Sequence, residues 1–449
     1  MVLRNLRILT SFAIGLLISI NSIAENNSDK HRRAMIAKDA REASCFYRAY
    51  PAPFVTEDKC EGIRPEGYEA FYVSHYGRHG SRWISKNKIY KRIEKELSEA
   101  KRLDGLTNKG KELYELAMIA IEDARGRAGE LTPIGALEHR GIAERMYWRY
   151  PEIFRQDHTT NNKEGVKIDS RSTMYTRCVY SMIAFDERLK EINPNLKIWR
   201  ESSRRNLGYM SNYSCTPDSL YKAASKVADS TIRQDIPTKR FLRRIYKKGF
   251  IKSNIDDPTT SCFDLFNLAC NVQNTGLRDV AGDEIDLFRF FTTGELYKYW
   301  KAFNESVYIK KGPSERFGEK VVANAVPLLR NIVATADTVI LEDRQIAATL
   351  RFGHESNLLP LLSLMGVDDS DWSVSELTPM AANLQFIFFR PQHQNDTQEY
   401  HVAENEDIKV RILHNEKDIK IQHLHGPFYN WQELRNYFLQ QITKFEKCR

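Results

Sequence analysis

The residues of this chain best equipped for chemistry are an imidazole set among arginines, Arg78-His79-Gly80-Ser81-Arg82, with Arg177 and the pair His354-Glu355 further along. Apart from one carboxylate, the collection is cationic. The forked, permanently charged guanidinium of arginine grips phosphate oxygens two at a time, which the point charge of lysine does not do. An imidazole with one ring nitrogen held by a hydrogen bond presents the other as a nucleophile, and a tight glycine-containing turn suits such a ring. Phosphoryl transfer needs a firm hold on three equatorial oxygens while charge moves toward the leaving group. An alkoxide leaving group must also gain a proton, which a carboxyl group can supply when it is protonated at working pH. His79 is therefore the candidate nucleophile, Arg78, Arg82 and Arg177 the candidate phosphate-binding residues, and Glu355 the candidate proton donor. His354 is a second imidazole that would donate to a phosphate oxygen.

Residues so far apart in sequence can meet only if the fold delivers them to one place. A strand pattern over Glu69–Ser74 runs into the RHG segment, and helical periodicity follows from about Lys88 to Arg102 and from Gly110 to Arg125. Thr132 is placed as a helix N-cap with Pro133 at the first helical position, and that helix runs toward Tyr150. Val166–Ser170 alternates like a strand, and from Ser172 a helical pattern carries Arg177, Ser181 and Phe185 on one face. Ala347–Phe352 reads as a strand immediately before Gly353-His354-Glu355-Ser356, with an apolar helix over Leu358–Met365. Two further strands, Leu384–Phe389 and Lys409–Leu413, and a terminal amphipathic helix over Trp431–Phe445 complete the pattern. Three strand ends thus deliver the chemistry, as expected of an open α/β sheet whose ligands gather beyond the carboxyl ends of its strands. The expected architecture is a three-layer α/β domain built from residues 25–190 and 326–449, with a mostly helical cap inserted over 191–325.

With 449 residues the chain exceeds what one core usually serves, and 42% hydrophobic with 28% charged residues excludes a disordered or fibrous polymer. A net charge of +8 suits an anionic substrate, although interspersed acidic and basic side chains on a solvated surface explain the total equally well. No basic run with interleaved aromatics suggests nucleic acid. Arg4 and Arg7 before the apolar run Ile8–Ile20, with Ser22-Ile23-Ala24 after it, read as a signal peptide over 1–24. The run is shorter than the ~20 residues a spanning helix needs, so cleavage and export to the periplasm or beyond are expected over an anchor. The mature chain then has no membrane span, and the polar stretch from Glu25 to about Arg33 is expected to be disordered. The seven cysteines include no CxxC pair, which argues against a structural metal. Cys45 with Cys60 and Cys262 with Cys270 are near enough in sequence to be disulfides, while Cys178 reads as a small core residue.

The segments GRHGSR at 77–82, LTPIGALEHRGIAERMYWRYPEIF from Leu131, SRSTMYTRCVYSMIAF ending at Phe185, LRFGHESNLLPLLSLMG from Leu350 and VRILHNEKDI from Val410 resemble the acid-phosphatase branch of the histidine phosphatases. The resemblance is strongest to multiple inositol polyphosphate phosphatases and histidine-acid phytases. It implies a Rossmann-like, phosphoglycerate mutase-like α/β domain with a helical cap. It also implies a phosphorylated His79, phosphate binding by Arg78, Arg82, Arg177 and His354, Glu355 in the proton donor's place, and no metal or other cofactor. The implied partner is a small phosphorylated molecule, an inositol polyphosphate such as phytate. Two positions depart from the family pattern. His354-Glu355-Ser356 stands where the family carries His-Asp or His-Ala-Glu, and Trp83-Ile84 replaces the proline-containing end of RHGxRxP, which leaves the loop's shape open.

A general acid phosphatase, an exported polyanion-binding protein with weakened turnover and a mutase-like transferase are the competing readings. Lys86, Lys88, Lys91 and Arg92 either grip additional phosphates or form a solvated helix face, the latter being commoner. His75, His139 and His425 are expected to be structural, and the sequons at Asn26, Asn212, Asn304 and Asn395 arise readily by chance. Nothing in the chain fixes its oligomeric state.

Overall fold

The computed structural model describes residues 28–51, 62–155, 165–210, 218–341, 346–367, 372–392 and 407–448. The expected signal peptide, Cys60, Cys215 and the sequons at Asn26, Asn212 and Asn395 lie outside them.

Among the described residues, a mixed sheet of eight strands forms the centre. Its strands are β1 (Tyr68–Arg78), β2 (Lys167–Ser172), β3 (Lys197–Ser202), β4 (Ile346–Gly353), β5 (Asn383–Pro391), β6 (Lys409–His414), β7 (Lys417–Asp418) and β8 (Phe428–Asn430). The order is β3-β2-β4-β1-β5-β6-β7, with β8 paired to β6. The strands β3, β2, β4 and β1 pair in parallel, whereas β5 is antiparallel to both β1 and β6. Because β2, β4 and β1 are neighbours, their carboxyl ends lie side by side, with Ser172 opposite Phe352 and Arg78 opposite Gly353.

Alternation along the strands builds a core on each face, as a sheet covered on both sides requires. Val73, Leu350, Phe352, Ile387 and Phe389 point to one face, where the packed helices Pro133–Arg149 and Thr176–Ile192 contribute Ile142, Met146, Met182 and Phe185. Tyr72, Tyr76, Leu384, Phe386 and Phe388 point to the other, against Leu329, Leu359 and Phe438 from the helices Val326–Leu341, Glu355–Leu364 and Trp431–Glu446. The second cluster continues without a break into the helices Pro258–Val272 and Thr293–Lys311, through Phe266, Leu268, Tyr299 and Phe303. The mixed α/β class and central sheet agree with the sequence pattern.

Several local expectations are corrected. β1 runs four residues past Ser74 and includes Arg78, because His75, Tyr76, Gly77 and Arg78 keep their ladder partners on β4 and β5. Lys197–Ser202 lies inside the stretch expected to be helical, yet it is a strand: the short, polar sequence KIWRES pairs along one side only, with β2 at the sheet edge. Residues 28–38 are helical rather than disordered. Arg32 in that helix is buried against the Trp300 ring and hydrogen-bonds Ser373 and Glu376, tertiary contacts that no local pattern announces. The Cys262–Cys270 disulfide is ruled out, since both are buried free thiols on the helix Pro258–Val272. Eight residues along a helix separate their Cα atoms by about 12 Å, beyond the ~7 Å limit for a bridge. Cys45 is likewise a free buried thiol.

Candidate active site

The three strand ends meet as the sequence pattern requires. Arg78 is the last residue of β1, Gly353 the last of β4, and Arg177 the second residue of the helix that follows β2. His79 is 1% exposed, and its Nδ1–H donates to the Gly80 carbonyl at 2.9 Å. A carbonyl can only accept, so this contact fixes the tautomer and leaves Nε2 as the unprotonated ring nitrogen. Burial pushes the His79 pKa well below the usual imidazole value, and the neighbouring Arg177, Arg78 and Arg82 push it further down. His79 is thus a neutral imidazole with an open nitrogen, the form that can attack phosphorus.

The arginines around it are poised for an anion. Arg78 is completely buried and spends Nη1 on the carbonyls of Phe46 (2.8 Å) and Thr378 (2.5 Å), while its Nε and Nη2 have no hydrogen-bond partner among the described residues. Nε of Arg82 and Nε of Arg177 are also buried and, among the described residues, unpartnered. Orphaned buried donors of this kind are costly in a folded protein unless a ligand satisfies them. His354 faces His79 with ring centroids 5.5 Å apart, and burial first, then Arg177, lowers its pKa to about 3. The Tyr76 hydroxyl accepts from the His354 N–H and donates to its carbonyl, which locks the backbone at this corner.

Glu355 opens the helix Glu355–Leu364. Its carboxylate accepts from Lys311 Nζ at 2.6 Å and lies 3.6 Å from Arg78 Nε. Burial alone would raise its pKa, but the charges of Lys311 and Arg78 outweigh burial and hold the carboxyl well below its ordinary value. In the free site Glu355 is therefore ionised. The donor atoms of His79, His354 and Glu355 lie within 4.8 Å of one another, close enough to clasp a metal ion. The surrounding charge of Arg78, Arg82, Arg177 and Lys311 disfavours a divalent cation and favours an anion there.

The loop after His79 is fastened by residues the sequence pattern did not single out for function. Glu138, partly buried on the helix Pro133–Arg149, accepts from the Ser81 N–H at 2.7 Å and the Ser81 hydroxyl at 2.8 Å. Ser181 links Gly80 to the helix of Arg177, accepting from the Gly80 N–H and donating to the Arg177 carbonyl. Gly80 packs so closely on Gly135 that a Cβ on Gly80 would sit 2.3 Å from the Gly135 carbonyl. Trp83 is buried with its indole N–H on Asp123. Asn271 holds the Arg82 carbonyl from the helix Pro258–Val272.

Lys311 is a second charged residue at the site, after Glu138, that sequence reasoning missed. It ends the helix Thr293–Lys311, and Lys310 beside it has a pKa lowered to about 8 by burial and by the charges of Lys311 and Lys86. Tyr175 was also missed; its half-exposed ring stands 4.8 Å from His354, with the Arg177 guanidinium 5.0 Å from it. Of the other basic residues after the motif, Lys88 and Lys91 are exposed and Arg92 is paired with Asp264. His75 and His139 are buried against Phe352, His425 is exposed, and the Asn304 amide bonds to Trp372 and Val374 within the fold. Cys178 is buried, with its sulfur 3.7 Å from His354 Nε2.

Comparison with known proteins places this geometry in context. The family model of the histidine phosphatase superfamily (branch 2) matches residues 77–415, a span that contains all the residues of the site. Among solved structures, the chain is similar to the multiple inositol polyphosphate phosphatase of Bifidobacterium longum in complex with inositol hexasulfate. The TM-score is 0.70 at 18% identity, covering 88% of this chain and 97% of that one. It is also similar to the phytase from D. castellii, with a TM-score of 0.63 at 15% identity over 90% of this chain and 85% of that one. The phytase of Klebsiella sp ASR1 gives a TM-score of 0.52 at 13% identity over 85% and 96%. At these identities the likeness is one of fold. No curated protein matches the chain.

Proposed function

The chain belongs to branch 2 of the histidine phosphatase superfamily, and we propose that it hydrolyses phosphate monoesters of inositol polyphosphates such as phytate through a phosphohistidine on His79. The observation that carries the reading is the neutral His79, its Nδ1–H tied to the Gly80 carbonyl, beside unpartnered guanidinium nitrogens of Arg78, Arg82 and Arg177. The phosphoryl oxygens take those nitrogens and a His354 ring N–H, which holds phosphorus in line with His79 Nε2. An N–P bond forms as the P–O bond to the alcohol breaks, and Glu355, once protonated, gives its proton to the departing oxygen. Water then attacks the phosphohistidine, Glu355 accepts the proton of that water, and phosphate leaves with His79 restored.

A polyphosphorylated ring is favoured over a simple ester by the cations beyond the reacting centre. Lys311 and Lys310 end the inserted helix, and the Lys86 charge reaches Lys310 from the loop after the motif. The stretch 191–325, apart from the edge strand β3, thus serves as a cap that shapes the substrate side. The leader over 1–24 directs export, and among the described residues no helix is long and apolar enough to cross a membrane.

Initial rates on phytate and on an aryl phosphate such as nitrophenyl phosphate test the reading. A higher kcat/KM on phytate is expected. Preference for the aryl ester makes the chain a general acid phosphatase, and tight binding of phytate without phosphate release at any pH makes it a polyanion-binding protein.

A further inference from the structure

The clamp on Glu355 carries a consequence for how the proton donor is loaded, and it rests on the phosphatase reading above. A residue that must give up a proton stands ionised in the free site, held by Lys311 Nζ at 2.6 Å and Arg78 Nε at 3.6 Å. Arg78 has already spent Nη1 on two backbone carbonyls, so the edge it can offer a phosphoryl group is Nε with Nη2. That edge is the one facing Glu355. A phosphoryl dianion that takes it in the usual two-pronged manner comes within touching distance of the carboxylate. Two such negative groups sharing one site cannot both remain ionised.

We propose that Lys311 and Arg78 clamp the Glu355 carboxylate in the free site and that an arriving phosphoryl group takes over both cations, so that anion binding is accompanied by protonation of Glu355. The proton comes from solvent and adds to a carboxylate oxygen. During turnover it passes to the oxygen of the leaving alcohol, and the carboxylate so regenerated accepts the proton of the attacking water. Lys311 is thus a positioning residue, supplied to the reacting centre by the inserted helix 44 residues before Glu355. The other groups facing Glu355 are Tyr76 and His79 from β1 and its end, Arg177 and Cys178 from the helix Thr176–Ile192, and His354 from the end of β4. Tyr76 and Cys178 titrate far above the acidic range, since burial raises both. The two imidazoles are neutral and so are the rival proton acceptors.

Calorimetric titration of the full chain with inorganic sulfate, in buffers of different ionisation enthalpy between about pH 5 and 6, counts the protons taken up on binding. Sulfate is used because its own charge does not change across that range. The wild type and Lys311→Arg are expected to take up close to one proton per chain, Glu355→Gln none, and Lys311→Met less than the wild type because the carboxyl is partly protonated before sulfate arrives. Sulfate binding by the wild type with no proton uptake overturns the inference and leaves the phosphatase reading standing. Uptake that persists in Glu355→Gln assigns the proton to an imidazole and overturns it as well, and uptake in Lys311→Met equal to the wild type removes Lys311 from the clamp. A wild type that neither binds sulfate nor releases phosphate from phytate overturns the phosphatase reading and the inference together.

Discussion

His79 and Glu355 sit a few ångströms apart in opposite resting states, one neutral and the other charged, because burial acts alone on neither. For His79, burial and the arginines work in the same direction, against protonation. A base whose folded pKa is depressed keeps its reactive form until the pH falls through that lowered value. The kcat/KM of the wild type should therefore show no acid-side loss as pH is lowered through ~6.5, the ordinary imidazole range. A pH–rate profile with an acid limb centred on that value contradicts this assignment of the nucleophile. For Glu355, burial opposes the cations and loses. Replacing it with Gln should slow an alkyl ester by about 10²–10⁴-fold, the usual contribution of a general acid, and a nitrophenyl ester far less. Equal losses on the two substrates in steady-state assays would assign Glu355 a role other than leaving-group protonation.

At the scale of elements, the loop carrying His79 and Arg82 owes its shape to the helix Pro133–Arg149 more than to its own sequence. Thr132 caps that helix and also bonds the Ser81 carbonyl, Glu138 takes both Ser81 donors, and Gly135 admits the loop backbone. A Cβ on Gly135 would meet the Ser81 carbonyl at 2.2 Å, backbone against backbone. Gly135→Ala should thus cost roughly 1–3 kcal/mol of stability by overpacking and lower kcat as His79 shifts; thermal melts and assays that match the wild type contradict this. Of the strands that carry the site, β1 and β4 were legible as largely apolar runs ending in polar residues, as in Ala347–Phe352 before His354, and β2 by its alternation. Thr132 with Pro133 was legible as a helix start for the same local reason, a side-chain cap followed by a residue with fixed φ. β3 was not, since an edge strand pairing on one side has no need of an apolar run. Neither was Lys311: its meeting with Glu355 depends on how a helix from a distant part of the chain packs, which no local pattern encodes.

At the scale of the whole molecule, the helices Pro258–Val272 and Thr293–Lys311 and the sheet share one continuous buried cluster, in which Phe266 and Tyr299 belong with Leu359 and Phe386. Such a core favours one cooperative transition, and differential scanning calorimetry should show a single peak that moves upward in phosphate; two separable peaks contradict a shared core. The same continuity lets the helix Thr293–Lys311 deliver Lys311 to a site otherwise built from strand ends. The most direct measurement is rapid acid or base quenching of wild-type turnover on phytate, followed by peptide mass spectrometry to locate any phosphoryl adduct. A transient adduct on His79, absent in His79→Ala along with turnover, is the predicted result. Turnover with no adduct, or an adduct carried by another residue, contradicts a phosphohistidine mechanism at His79.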